Sequence, residues 1–209
     1  MIGILGGTFD PVHFGHLRPA LDILQALGLD EVRLMPCRVP PHRDEPIATP
    51  EQRLTMLRLA AHGERSLSID ERELKREGPS YMVDSLHSLR EELGERPIVL
   101  ILGMDAFRGL DRWHRWHELI NLCHIAVATR PGWSEPDQGQ LAALIRQRRV
   151  DEASALRSAP SGRLIFSPVT QIDISASRIR ALLMARKSPR YLLPAAVLEY
   201  ILVVGLYQR

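Results

Sequence analysis

Gly6-Gly7-Thr8-Phe9-Asp10-Pro11-Val12-His13-Phe14-Gly15-His16 follows the short apolar run Ile2 to Leu5. Two glycines leave a strand, and two histidines three apart stand where a helix should start. A strand, a glycine turn and a helix N-terminus together make an anion site, because main-chain N–H groups and the positive end of the helix dipole face the ligand. Two imidazoles beside such a cradle suit it to a polyphosphate in reaction; the alternative is a pair of helix-cap or core histidines. The turn lacks the lysine of a P-loop, and the chain has no GxGxxG, so neither standard phosphate motif applies.

The elements that must position this turn alternate along the chain. Ile2–Leu5 reads as a buried strand and Leu17–Leu27 as a helix stopped by Gly28. Glu31–Pro36 is a second strand. Thr49-Pro50-Glu51-Gln52 supplies a capping threonine, a first-turn proline and a capping-box glutamine, with Leu54, Leu57 and Ala61 as the inner face of the helix. Leu67–Ile69 is a short strand, and Ser80–Leu93 a helix ended by Gly94. Pro97–Leu102 is a continuous apolar run of the kind found in a central parallel strand. Trp113–Leu122 reads as helix, His124–Ala128 as strand, Gln138–Arg149 as helix and Leu164–Phe166 as a late strand. Ser175–Ala185 and Pro194–Val204 are the closing helices. The alternation predicts a Rossmann-like, doubly wound α/β fold: a mostly parallel sheet with helices on both faces and a C-terminal helical segment, residues 1–209 forming one domain. Ligands in such sheets bind beyond the carboxyl ends of the strands, which gathers the turns after Leu5, Pro36, Leu102 and Phe166 on one side.

The bulk composition narrows the field. Of 209 residues, 45% are hydrophobic and 25% charged, as in globular proteins, and a net charge of +2 gives no field suited to nucleic acid or a membrane surface. Cys37 and Cys123 have no ligand-like spacing, so free thiols are the simplest account. The N-terminal apolar stretch is too short for a signal peptide and no run reaches the roughly 20 residues of a membrane span, so the expected location is the cytoplasm. His114, His117 and His124 lack a third ligand at zinc spacing, and Arg146, Arg148 and Arg149 read as a solvated helix end.

Further segments carry a resemblance. Gly6–Pro11 with His13-Phe14-Gly15-His16 is similar to the signature of the HxGH nucleotidyltransferase superfamily. Pro40-Pro41-His42-Arg43, Leu102-Gly103-Met104-Asp105 with Trp113, Ile174-Ser175-Ala176-Ser177-Arg178-Ile179-Arg180 and Gly205-Leu206-Tyr207 resemble one branch of it, the bacterial nicotinate-nucleotide adenylyltransferases. The matches run in order from residue 3 to residue 207.

The resemblance implies that ATP and nicotinate mononucleotide are joined, with pyrophosphate released and Mg²⁺ brought in with ATP. It implies that His13 and His16 bind the triphosphate and stabilise the transition state, with Arg43 and Arg180 as their catalytic partners. ATP would lie against Gly6, Gly7, Thr8, Phe9, Gly103, Asp105, Ser175 and Ser177. The acceptor would lie against His42, Arg43, Ser80, Tyr81, Asp105, Trp113, His114 and Arg130. The residues themselves agree where chemistry is legible: Asp105 can accept from ribose hydroxyls, and Trp113 offers a flat face the size of a pyridine ring, whereas Trp116 reads as core. Arg178 reads as solvent-facing. The chain departs from the family pattern at Arg43, where lysine is usual, at Ala176 and Ser177, at Met82 and at His114, where tyrosine is frequent. The competing expectations are a different acceptor (nicotinamide mononucleotide or phosphopantetheine) and a nucleotide-binding sensor without catalysis. A homo-oligomer is open.

Overall fold

The computed structural model describes residues 1–40, 45–130 and 132–208. In chain order the strands are β1 (Ile2–Gly7), β2 (Glu31–Pro36), β3 (Leu67–Ile69), β4 (Ile98–Gly103), β5 (His124–Thr129) and β6 (Leu164–Pro168). They form one sheet of order β3-β2-β1-β4-β5-β6 in which every neighbouring pair is parallel. The strand order reverses between β1 and β4, so the crevice for a ligand opens beyond Gly7 and Gly103.

The helices follow from a two-sided sheet. Along β4, Ile98, Leu100 and Leu102 enter one core while Val99 and Ile101 enter the other, the two-residue alternation of a strand covered on both faces. The first core receives Leu17, Ala20, Ile23 and Leu27 of α1 (Phe14–Leu27) and Met56 and Leu57 of α2 (Pro50–Ala61). The short α3 spans Arg72–Lys75. The second core receives Val83, Leu86 and Leu89 of α4 (Met82–Leu93), Phe107 of α5 (Met104–Arg108), Leu119 of α6 (Trp116–Leu122) and Ile145 of α7 (Gly139–Arg148). Leu156 of α8 (Ser154–Arg157), Ile179 of α9 (Ala176–Met184) and Val197 and Ile201 of α10 (Ala195–Val204) return to the first core.

Four expectations are corrected. The first helix begins at Phe14, not Leu17, because the extended His13 is its N-cap and the carbonyl of His13 accepts from the amides of His16 and Leu17. The buried face of α2 is Arg53, Met56 and Leu57 rather than Leu54, Leu57 and Ala61. Trp113–Leu122 is not one helix: a 3₁₀ turn at Leu110–Arg112 and α6 are separated at Arg115, whose φ of 50° is incompatible with a right-handed helix. The helix expected at Ser80 starts two residues later, behind an extended Tyr81.

Candidate active site

A cavity of about 1070 Å³ opens over the strand-order reversal. Its floor is the β1 turn, where Gly6, Gly7, Thr8, Phe9 and Asp10 line it, and the helix it feeds contributes His16. From β4 come Gly103 and Asp105, from the following turn Trp113, from the end of β5 Arg130, and from α9 Ala176 and Arg180. Ser80 and Met82 close the wall on the β2 side. Tyr81, His114, Ser175 and Ser177 do not line it, and His42 and Arg43 lie outside the described residues.

The two histidines form a stack, with ring centroids 3.8 Å apart. His16 faces the cavity, and its Nδ1 accepts from the His13 main-chain N–H at 3.3 Å, so the proton of the neutral ring resides on Nε2. His13 lies behind it, only 4% exposed, and its Nδ1 meets no hydrogen-bond partner among the described residues. Burial, with a smaller contribution from the nearby Arg130 cation, lowers the His13 pKa to about 4. His13 is therefore neutral at pH 7. Gly15 makes this packing possible, since a Cβ there would stand 2.9 Å from Nδ1 of His13 and 3.1 Å from the carbonyl of Ile174. The same contact draws the segment before α9 up to the start of α1.

The helix start offers fewer amides than the sequence suggests, because Phe14 N–H donates to the carbonyl of Leu192 at 3.1 Å. At α9 the hydroxyl of Ser175 caps the helix by accepting from Arg178 N–H at 3.2 Å, and Arg178 points to solvent. Arg180 reaches inward, donating through Nη1 to the carbonyl of Asp10 at 2.7 Å.

Two buried charged residues shape the floor: Arg53, which no motif marks, and Asp10 of the N-terminal motif. Arg53 is fully buried and donates to the carbonyls of Thr8 (2.8 Å), Cys37 (2.7 Å), Arg38 (3.3 Å) and Ala48 (3.3 Å). Among the described residues no carboxylate forms an ion pair with it, and carbonyl oxygens hold its guanidinium. Asp10 accepts from Ile47 N–H (2.9 Å), Ala48 N–H (3.1 Å) and the hydroxyl of Tyr207 (2.6 Å). Together these residues fix the β1 turn, the turn after β2 and the start of α2.

The other end of the cavity is aromatic and polar. Trp113 is half-buried, extended after its 3₁₀ turn and packed on the second core, so one face is available to the cavity. The Tyr81 and His114 rings lie against each other with centroids 4.3 Å apart, tilted by 31°. Glu73 lines the cavity almost fully buried. Burial pushes its pKa up, and it accepts from the hydroxyl of Ser85 at 2.6 Å. The hydroxyl of Ser80 is held by Arg38 N–H at 2.9 Å. Trp133 also reaches the cavity, its indole beneath the Arg108 guanidinium at 5.1 Å. Its tryptophan identity was the available signal, but the segment around it has no periodicity. Such a site, cationic at one end and aromatic at the other, can hold a polyphosphate and a flat ring at once. Among the described residues no three His, Cys, Asp or Glu side chains converge on a metal position. No helix there is long and apolar enough to cross a membrane.

Residues 4–182 match the family model described as cytidylyltransferase-like. The chain is 50% identical over 208 residues to a probable nicotinate-nucleotide adenylyltransferase of Hahella chejuensis, covering 99% of this chain and 95% of that one. It is 48% identical over 207 residues to a probable nicotinate-nucleotide adenylyltransferase of Aeromonas salmonicida, covering 99% and 97%. Among solved structures, nicotinic acid mononucleotide adenylyltransferase of Plasmodium falciparum complexed with NaAD superposes with a TM-score of 0.72 at 16% identity, over 99% of this chain and 96% of that one.

Proposed function

The chain belongs to the nicotinate-nucleotide adenylyltransferases within the cytidylyltransferase-like family, and from that membership we propose how its residues divide the reaction. The enzyme transfers the adenylyl group of ATP to nicotinate mononucleotide, giving nicotinate-adenine dinucleotide and pyrophosphate, a step of NAD biosynthesis. A phosphate oxygen of the mononucleotide attacks the α-phosphorus of ATP. A bond forms between that oxygen and phosphorus, and the bond from the α-phosphorus to the bridging oxygen of the β-phosphate breaks.

The observation that carries this assignment is the single cavity running from His16 and Arg180 to Trp113 and Ser80. Transfer between two anions needs positioning and charge stabilisation more than proton chemistry. His16 donates from Nε2 to the triphosphate, Arg180 and Arg130 add charge, and His13 acts mainly by holding the His16 ring. Gly6, Gly7, Thr8 and Phe9 bring main chain to the phosphates, with Ser175 and Ser177 supporting them from α9. Resemblance to the family assigns Arg43 to catalysis and, with His42, to the acceptor. Asp105 accepts from a ribose, Trp113 stacks on the nicotinate ring, and Ser80, Tyr81 and His114 border it. Mg²⁺ carried in with ATP would supply shielding for the charge of the leaving pyrophosphate. The whole chain acts as one nucleotidyltransferase domain in the cytoplasm.

Incubating the enzyme with ATP and measuring pyrophosphate tests the reading. Release on addition of nicotinate mononucleotide, with a lower kcat/KM for nicotinamide mononucleotide, is expected. Absence of pyrophosphate with any pyridine nucleotide would leave a nucleotide sensor. His16→Ala should lower kcat by about 10²–10³, the scale of one lost transition-state donor.

A further inference from the structure

Asp10 stands in the N-terminal motif, yet the division of labour above gives it no part. Its carboxylate is buried and accepts from three donors: Ile47 N–H, Ala48 N–H and the Tyr207 hydroxyl at 2.6 Å, the last from 197 positions along the chain. Its carbonyl takes Nη1 of Arg180 at 2.7 Å, and its Oδ2 stands 3.8 Å from the same nitrogen. Arg180 is thus held from behind on one nitrogen. Among the described residues no protein acceptor takes its Nη2 or Nε, and the side chain lines the cavity. Tyr207 is itself fixed: it is 4% exposed, in the left-handed region at φ 61°, two residues after the glycine that caps α10. Burial and the Asp10 charge raise its phenol pKa, so it remains a donor throughout the working pH range.

We propose that Tyr207 and Asp10 are positioning residues that aim Arg180 at the triphosphate, with the Tyr207 hydroxyl fixing the Asp10 backbone that anchors the guanidinium. An arginine held at one nitrogen loses less rotamer freedom when its remaining N–H groups engage a ligand. Tyr207 touches no substrate and acts through the other two. The inference rests on the reading that Arg180 binds the phosphates of ATP.

A double-mutant cycle on the full chain tests it. Tyr207→Phe keeps the ring and removes the hydroxyl. It should lower kcat/KM for ATP about tenfold, the scale of one buried hydrogen bond to a charged group, while KM for nicotinate mononucleotide stays within about twofold. Arg180→Ala alone should lower kcat/KM for ATP by about 10² or more, and adding Tyr207→Phe to it should cost less than about twofold further. An equal tenfold loss in both backgrounds would show general loosening of the fold and overturn the relay. So would the absence of any loss from Tyr207→Phe when Arg180→Ala is impaired. If Arg180→Ala leaves kcat/KM for ATP unchanged, the assignment of Arg180 to the phosphates fails and the relay fails with it. Urea unfolding of each variant reports separately whether the fold itself was lost.

Discussion

A Cβ added to Gly103 would meet no protein atom within 4 Å, although the residue lies at the carboxyl end of the central strand. Its φ of −71° is open to any residue. The space beside it is therefore the cavity, not the core, and a side chain there would intrude on a ligand rather than on the fold. Gly103→Ala should leave the thermal midpoint within about 2 °C of wild type, since neither strain nor a cavity is created. It should raise KM for nucleotide at least about tenfold. Unchanged steady-state kinetics would show that no ligand approaches that Cα. Gly15 obeys the opposite constraint, because its missing Cβ is replaced by the His13 ring. A sequence shows both residues simply as glycines. At this scale the motif residues were legible by type and spacing, but the difference between His16 facing the cavity and His13 lying behind it was not.

Helix starts carry most of the site, and their local chemistry is readable. At α2 both halves of the expected capping box are present: Gln52 N–H donates to the Thr49 hydroxyl at 3.3 Å, and Thr49 N–H to the Gln52 side chain at 2.9 Å. The inner face of that helix was misread because Arg53 buries itself. A residue-by-residue pattern treats arginine as polar, whereas here four carbonyls from two site turns satisfy its fork. Arg53→Met would fill similar volume yet leave those carbonyls without their donor. Loss of about 1–3 kcal/mol of stability in urea unfolding is expected, the scale for leaving buried acceptors without their donor. A loss below about 1 kcal/mol would mean that water replaces the guanidinium readily. The interruption at Arg115 has a comparable role: it ends the 3₁₀ segment short of α6 and leaves Trp113 extended at the cavity. Two acidic neighbours compensate the arginine there, Glu118 at 2.6 Å and Asp84 at 3.6 Å.

Across the whole molecule, two buried histidines make stability depend on acid. Burial lowers the His13 pKa to about 4 and also lowers that of His124. The His124 Nε2 lies 2.9 Å from the Ala159 carbonyl, and its Nδ1 accepts from Arg163 N–H at 3.1 Å, an arrangement only the neutral ring can satisfy. Because the unfolded chain binds these protons more tightly, their contribution is intact above about pH 6.5. It is lost progressively as pH falls below that point, for His13 down to about pH 4, which amounts to on the order of 3 kcal/mol. Urea unfolding at pH 7 and at pH 4 should therefore show a smaller acid loss for His13→Gln than for wild type. Equal losses would mean that the His13 ring is already charged, or solvated, in the folded state.

The sequence by itself determined the alternation of strands and helices, the glycine turn after β1 and its histidines, the caps of α2 and α9, and the family. Each of these is written in neighbouring residues, whose spacing sets backbone conformation and hydrogen bonding within a few positions. Only the tertiary structure decided that every strand pair is parallel, that β1 and β4 flank the crevice and that Trp133 reaches it. It alone showed Arg53 and Asp10 holding the floor and Tyr207 reaching Asp10 across the chain. Those facts depend on burial and on partners far apart in sequence. A buried arginine, a carboxylate or a tyrosine hydroxyl has no local signature until the fold brings its acceptors or donors within about 3 Å.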